Sequence, residues 1–413
     1  LVYGSASTCF SAGFGIYEWS ARGNALGGTL VGRADDPSAV AYNPAGITQL
    51  DGVQVMAGFS IIHPVLEVRT DGPEGNQWTS SDKSALWMPP HVYATWKVND
   101  RYSFGLGIYS RFGLGSVIDD KWPGRYNSYR AVIEAVSINP NVAVKVTDKL
   151  SAAFGVEAMH LTFLKKQKLN LRQINPAFGD GDSKLDADGW GHGFNLALHY
   201  QPCEYARLGL TYRSPVVMKV RGDAEFSDIP GAIQGMRLLR DTGASGKVTL
   251  PDSFSFGLAV YPTEKLSVEL GATYTLWSKY DELRVNYSEP VIPGPGGTRV
   301  DQVVQTKNWR DVWRLGVGVE YAALDWLDLR AGYIYDQEPS RSDYIDYMVP
   351  ANDRHLLSAG LGLHWENWTA DLSYIYLMIE DRKIKARPAE GVYQGEIRNA
   401  DAHIMGLSVS YAF

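Results

Sequence analysis

The closing stretch of the chain, His403-Ile-Met-Gly-Leu-Ser-Val-Ser-Tyr-Ala-Phe413, sets apolar or amphipathic side chains at odd positions and the small residues Gly406, Ser408, Ser410 and Ala412 between them. Side chains alternate across a strand, so this segment has one greasy face and one small, mildly polar face. A tilted strand of about ten residues with that pattern is long enough to cross a bilayer as one stave of a barrel. The pattern recurs upstream. Trp313, Leu315, Val317, Val319 and Tyr321 alternate with Arg314, Gly316, Gly318 and Glu320. Leu266, Val268, Leu270, Ala272 and Tyr274 alternate with Ser267, Glu269, Gly271 and Thr273. The chain has no run of 18 or more apolar residues, which excludes a spanning helix. A barrel escapes that test because half of each strand faces its lumen.

Seven upward strands are expected to start near Gly52, Tyr102, Leu150, Ala206, Leu266, Leu327 and Trp368. With their returning partners they give about fourteen strands, within the range that barrels use. The turns between hairpins are short and polar, as in Asn99-Asp100-Arg101, Thr147-Asp148-Lys149 and Glu366-Asn367. The opposite ends carry long connections near 67–83, 113–127, 166–189, 223–246, 286–305, 338–353 and 385–399. Short turns on one side and long loops on the other are the asymmetry of an outer-membrane barrel. Glu157, Arg213, Glu269, Arg314, Asp328, Arg330 and Asp371 all fall on the face opposite the apolar one. In a soluble all-β protein that face would meet solvent, so the charges alone leave both architectures open.

Composition fits the barrel: 12 Trp and 24 Tyr suit girdles at the two membrane interfaces, and 42 Gly suit a crowded lumen. A net charge of −7 argues against a nucleic-acid partner. Two cysteines, Cys9 and Cys203, fit an envelope protein without a disulfide framework, and a bond between them is one option in an oxidising compartment. The opening Leu1-Val-Tyr-Gly-Ser-Ala-Ser reads as the start, or close to the start, of a mature chain.

Residues 1–50 differ from the rest. Phe14 to Gly46 is dense in Gly, Ala and Ser and lacks sustained alternation, so it cannot form a lipid-facing strand. Small residues let backbone pack closely, and a compact plug in the lumen follows, with Arg22, Arg33, Asp35 and Asp36 able to pair with the inward wall charges. A disordered periplasmic tail is the alternative. The domain reading is therefore a hatch over 1–50 and a barrel over 51–413.

Several stretches carry a resemblance. Gly32-Arg-Ala-Asp-Asp-Pro-Ser-Ala-Val-Ala-Tyr-Asn43-Pro44-Ala45-Gly46, Trp122-Pro-Gly-Arg-Tyr126, Leu210-Thr-Tyr-Arg-Ser-Pro215 and Asn308-Trp-Arg-Asp-Val-Trp-Arg-Leu-Gly-Val-Gly-Val-Glu-Tyr321 together resemble the FadL family of outer-membrane long-chain fatty acid transporters. The terminal Phe413 likewise resembles the aromatic that ends outer-membrane barrels. The resemblance implies a 14-stranded antiparallel transmembrane β-barrel with an N-terminal hatch, in which Asn43, Pro44 and Ala45 belong to the hatch. It implies uptake of hydrophobic compounds by capture in a loop groove, binding in the upper lumen and lateral exit where the third strand kinks inward. Gly105 and Gly107 are the expected kink, since glycine inside a strand is where it can bend.

The expected capture groove lies in the third and fourth long loops. Ile229, Ile233, Met236 and Leu239 are spaced as one face of a short helix, and Leu169, Leu171, Ile174 and Phe178 lie in the loop before it. Apolar residues in loops that meet water call for a hydrophobic ligand, or for packing of the loops on each other as a lid. Lys165, Lys166 and Lys168 would attract a carboxylate or the phosphates of lipopolysaccharide. Asp180 to Asp188 is acidic but lacks the spacing of a calcium loop, and neither a zinc pattern nor a dinucleotide motif is present. No metal or cofactor is implied.

The reading is a non-enzymatic, monomeric transporter of the bacterial outer membrane, with its loops outside and its N-terminus and turns towards the periplasm. Long-chain fatty acids lead as substrate. Monoaromatic hydrocarbons or alkanes by the same route are the alternative, and an outer-membrane lipid hydrolase or a surface receptor are the rivals from other classes.

Overall fold

The computed structural model describes residues 13–72, 77–81 and 86–413. Its main sheet is one continuous antiparallel ribbon closed on itself, the first strand (Val53–Asp71) pairing with the last (Gly395–Ala412) as well as with Pro90–Lys97. The ribbon has fourteen staves, and six of them are interrupted part-way up, as where Ala206–Arg213 gives way to Val216–Ser227. Pairing of the first strand with the last leaves the ribbon no free terminal edge, as a bilayer requires of a sheet that crosses it. Among the described residues no helix is long and apolar enough to cross a membrane.

The expected hairpin starts agree closely with the strands, which begin at Val53, Tyr102, Leu150, Ala206, Leu266, Leu327 and Trp368. The upper ends do not, because strands run on into the expected loops: Leu150–Leu169 and Gly181–Cys203 pair as far as Leu169 with Gly181. Up there the outer face carries ion pairs, such as Lys184 with Glu225 at 3.1 Å and with Asp186 at 3.3 Å. Apolar-out alternation therefore ends although pairing continues, and this upper wall stands above the lipid. Lower down, Phe254, Phe256, Leu270, Trp313 and Leu315 are exposed on the outside, while Glu269 and Arg314 are buried within.

The hatch fills the lumen. Ser20 caps the helix Ala21–Ala25 by accepting the Gly23 N–H at 3.0 Å, and Asn43 caps the 3-10 helix Pro44–Gln49, with Pro44 at its first position. Hatch backbone lies directly on the wall, so that a Cβ at Gly318 would collide with the Leu26 carbonyl and one at Gly257 with the Gly32 nitrogen. Small lumen-facing residues are thus the footprint of the plug. Its charges pair as the sequence suggests. Arg22 contacts Asp35 at 2.8 Å, Asp36 at 3.0 Å and the wall residue Glu320 at 2.8 Å, and Arg33 contacts Glu269 at 3.3 Å. Cys203 is an exposed free thiol, and Cys9 lies outside the described residues.

Candidate functional site: groove, lumenal pocket and open seam

Six of the eight apolar residues singled out in the loops meet in one hydrophobic cluster. Leu171, Ile233 and Leu239 are buried there with Phe226 and Val291, and Leu169, Phe178 and Ile229 pack against them. Leu169, Leu171, Ile174 and Leu239 also line a groove of about 500 Å3. Met236 does not join them and is 53% exposed. The helix there spans only Gly231–Gly235, and Arg237 and Leu239 adopt positive φ of 57° and 50°. The i, i+3, i+4 spacing therefore stops describing one face before Met236 is reached.

The floor of the groove reaches Lys165, a buried side chain with no hydrogen bond or ion pair among the described residues. Next to it Lys307 is already paired with Asp346, both buried. Burial, followed by the charge of Lys307, pulls the Lys165 ammonium down to about 8. Lys166 is partly exposed, and Lys168 is held by Asp182 at 2.6 Å. Lys165 and Lys168 both line the groove, and of these two only Lys165 has no carboxylate in direct contact.

Leu185, Leu283 and Val285 line both the groove and a deeper apolar pocket, so the two cavities adjoin. The pocket is walled by Ile133, Leu161, Phe163 and Val220 and capped by Phe14 of the hatch. Phe14 sits in a cage of rings, with centroids 4.7 Å from Trp277, 5.3 Å from Tyr280 and 5.7 Å from Trp309. Trp277 and Trp309 stand at two of the wall interruptions. Their aromatic character was visible in the sequence, but which strand ends would converge was not.

Beside this cage the wall opens. The second and third strands pair only from Lys97 with Ser103 up to Val92 with Ile108. Along Tyr102–Val117 exposed and buried residues alternate as far as Ile108, and then Tyr109 to Ser116 are all buried. A strand buried on both faces has left the wall and bent inward. The register with Arg130–Thr147 shifts between Tyr109 and Phe112, a bulge of the kind that re-aims side chains. It sends Arg111 to a buried ion pair with Glu157, and the Ser110 carbonyl accepts the Trp19 indole N–H at 2.9 Å. Gly105 and Gly107 lie just below the bend in unbroken ladder, where a Cβ would approach Val40 of the hatch to 2.7 and 3.0 Å. The edge that the second strand abandons is taken by the hatch. Ile16 N–H donates to Arg111 O at 2.7 Å, Gly113 N–H donates to Phe14 O at 2.9 Å, and Gly15 bridges Phe112. Trp87, from the connection before Pro90–Lys97, covers Gly113 from the same side.

The family described as "Outer membrane protein transport protein (OMPP1/FadL/TodX)" matches residues 2–413. The chain belongs to this family. It is 27% identical to a putative outer membrane protein of Neisseria meningitidis serogroup B, covering 99% of this chain and 96% of that one. It is 26% identical to the long-chain fatty acid transport protein of Salmonella typhi, again covering 99% and 96%. Among solved structures, a FadL homologue of Pseudomonas aeruginosa superposes with a TM-score of 0.83 at 23% identity, over 97% of this chain and 99% of that one. The Pseudomonas putida toluene transporter TodX gives 0.74 at 17% identity, over 98% and 100%. This FadL-family barrel is therefore an outer-membrane protein for passive transport of hydrophobic compounds, with its loops outside the cell.

Of the hatch residues singled out in the sequence of this FadL-family barrel, Asn43 bonds both to the hatch and to the wall. The Asn43 amide donates to Val31 O at 2.8 Å and Leu198 O at 3.1 Å, while its oxygen accepts the Ala45 N–H at 3.1 Å. Pro44 and Ala45 are buried beside it. Among the described residues, the one buried Ser–His contact is structural. His91 Nε2 lies 2.8 Å from Ser408 Oγ, but that oxygen also accepts the Ala21 N–H of the hatch, and His91 Nδ1 has no partner to orient it.

Proposed function

We propose that this barrel, acting as a single chain, carries amphiphiles with a long apolar tail and an anionic head, of which long-chain fatty acids are the leading class. The observation that carries this reading is Lys165, a buried cation with no direct ion pair of its own among the described residues, beside the junction of the groove with the apolar pocket. Leaving a charge unpaired out of water is costly, and a ligand carboxylate is the natural compensation. The tail would lie against Leu161, Phe163, Leu185 and Val220. With Phe14 in place only about 40 Å3 remains free in that pocket, so entry of the tail requires the ring to leave its cage. Because Phe14 and Ile16 sit on the same short segment, that displacement also loosens the bonds to Arg111 and Gly113 that close the seam. Binding in the pocket would thereby open the lateral route, which delivers an apolar tail to lipid rather than to water.

Monoaromatic hydrocarbon transport is the second reading, and the cage of Trp277, Tyr280 and Trp309 favours it, since a ligand ring could take the place of Phe14. Titrating the purified barrel with labelled palmitate and with toluene separates the two. Saturable palmitate binding that toluene does not displace supports the fatty-acid reading, and toluene binding alone overturns it.

A further inference from the structure

A second cavity of about 520 Å3 lies among the external loops and shares no lining residue with the groove. Its lining side chains are all polar or charged, so it offers nothing to an apolar tail. Five are cationic, Arg310, Arg341, Arg382, Lys383 and Lys385, and they face two carboxylates, Asp353 and Asp381.

Most of these cations have no carboxylate in direct ion-pair contact among the described residues. Arg310 donates to the Glu338 carbonyl at 3.1 and 3.2 Å, and Arg341 to the Asn308 carbonyl at 3.0 Å. Arg382 donates to Ser340 Oγ and Ala351 O, both at 2.9 Å, and to Ser340 O at 2.6 Å. None of these three makes an ion pair among the described residues. Burial pushes the Arg382 guanidinium below its ordinary value, and the nearby Glu338 carboxylate only partly offsets this. Asp353 is occupied by the Tyr335 hydroxyl and the Glu338 N–H, each at 2.8 Å. Lys385 alone is paired with a carboxylate, that of Asp343. Carbonyl bonds fix the guanidinium planes while leaving further N–H groups free, which is the arrangement that grips a phosphate through parallel donors.

The height of the pocket identifies the source of the phosphate. Just below it the outer wall carries a belt of polar aromatics, with Tyr333 OH 2.7 Å from His355 Nδ1 and Tyr374 OH 2.6 Å from His403 Nδ1. Such belts mark the headgroup level of a bilayer. From Tyr376 the chain runs through Trp368–Ile379 directly into Arg382–Ile384, where Arg382 is buried and Lys383 is exposed. At about 3.3 Å per residue on a tilted strand, the cations stand on the order of 10–20 Å above the belt.

We propose that this pocket binds a phosphate group of the phosphorylated glycolipid of the outer leaflet, whose acyl chains lie against the outer wall below. The site does not depend on which compound the barrel carries. It also reassigns the lipopolysaccharide contact expected at Lys165, Lys166 and Lys168, two of which are committed elsewhere.

The test is native mass spectrometry of the purified full-length barrel with bis-phosphorylated lipid A, with the same lipid after phosphatase treatment, and with inorganic phosphate as competitor. The variant carries Arg341→Gln and Lys383→Gln, two exposed positions whose loss leaves the wall intact, as its heat-modifiable gel shift would verify. Wild type should retain bis-phosphorylated lipid A at least tenfold more tightly than the variant does, and should lose that preference for the dephosphorylated lipid. Equal retention of both lipids, or of either protein, overturns the proposal. Saturable binding of inorganic phosphate without tighter binding of the lipid overturns the lipid assignment. A parallel loss of palmitate binding in the variant would place the pocket on the transport route and overturn it as well.

Discussion

At the scale of single residues, Lys165 makes the sharpest demands. Replacing it with Met keeps its length and removes its charge, so a carboxylate ligand loses a charge-assisted bond of about 1.5–3 kcal/mol, roughly tenfold to a hundredfold in affinity. Toluene affinity should not change. Isothermal titration of both ligands checks this, and equal losses would mean that the substitution merely damages the groove. The pH dependence has a definite sign. Lys165 sits at about 8 with the groove empty, and a bound carboxylate raises it, so the complex holds the proton more firmly than the free protein. Palmitate affinity should therefore be flat below pH 8 and fall above it, by up to about tenfold per pH unit until the bound-state value is passed. A flat profile from pH 7 to 9.5 would remove Lys165 from the headgroup role. The sequence marked this lysine only as one of three near a loop. Alternation along Leu150–Leu169 turns Lys165 inward and Lys166 outward, but that alternation does not reveal that Lys307 takes Asp346 and leaves Lys165 without a direct ion pair among the described residues.

The third strand sets the terms at the scale of elements. Alternation from Tyr102 to Ile108 was legible, and so was the prospect of an irregularity in a glycine-containing strand. The position of the bend was not, because its partners Glu157 and Trp19 both arrive from elsewhere in the chain. Local glycines spaced by two read as flexibility, whereas here they make room for Val40 of the hatch. The loop helix has the same origin: its apolar spacing was visible, but the positive-φ residues that end it were not. If the segment Phe14–Ile16 must leave the seam for transport, fixing it there should stop uptake. Gly15 and Phe112 oppose each other as an antiparallel bridge, a separation that a disulfide can span. In a chain whose Cys9 and Cys203 are replaced by Ser, the pair Gly15→Cys and Phe112→Cys should lower palmitate uptake by at least tenfold when oxidised and restore it on reduction. Undiminished uptake by the oxidised form would show that the exit lies elsewhere in the wall.

For the whole molecule the question is why a barrel of fourteen staves does not leak. The strand starts and the closing strand could be read from turn chemistry and alternation, and the lumen could be read as full because the wall charges had partners waiting in residues 22–36. What the sequence left open was how firmly those partners hold. Glu269 accepts the N–H groups of Gly32 and Arg33 at 2.7 and 2.9 Å and contacts the Arg33 guanidinium, with both side chains fully buried. Removing one member of such a pair leaves a charge stranded, at about 3–5 kcal/mol. The barrel ladder does not depend on that contact, since Leu266–Thr275 keeps its pairing on both sides. The cost of Glu269→Ala should therefore fall on the hatch alone. Hydrogen exchange across residues 21–50 should accelerate by about a hundredfold or more, while wall amides stay protected. A loosened plug should also admit small hydrophilic solutes that the intact barrel excludes, and liposome swelling would read this directly. Glu269→Gln, which keeps acceptors for the two N–H groups but not the charge, should fall between the two. If the Ala variant unfolds as one unit with the barrel, hatch and wall form a single cooperative structure, and transport must proceed by local displacement of Phe14–Ile16 rather than by movement of the plug.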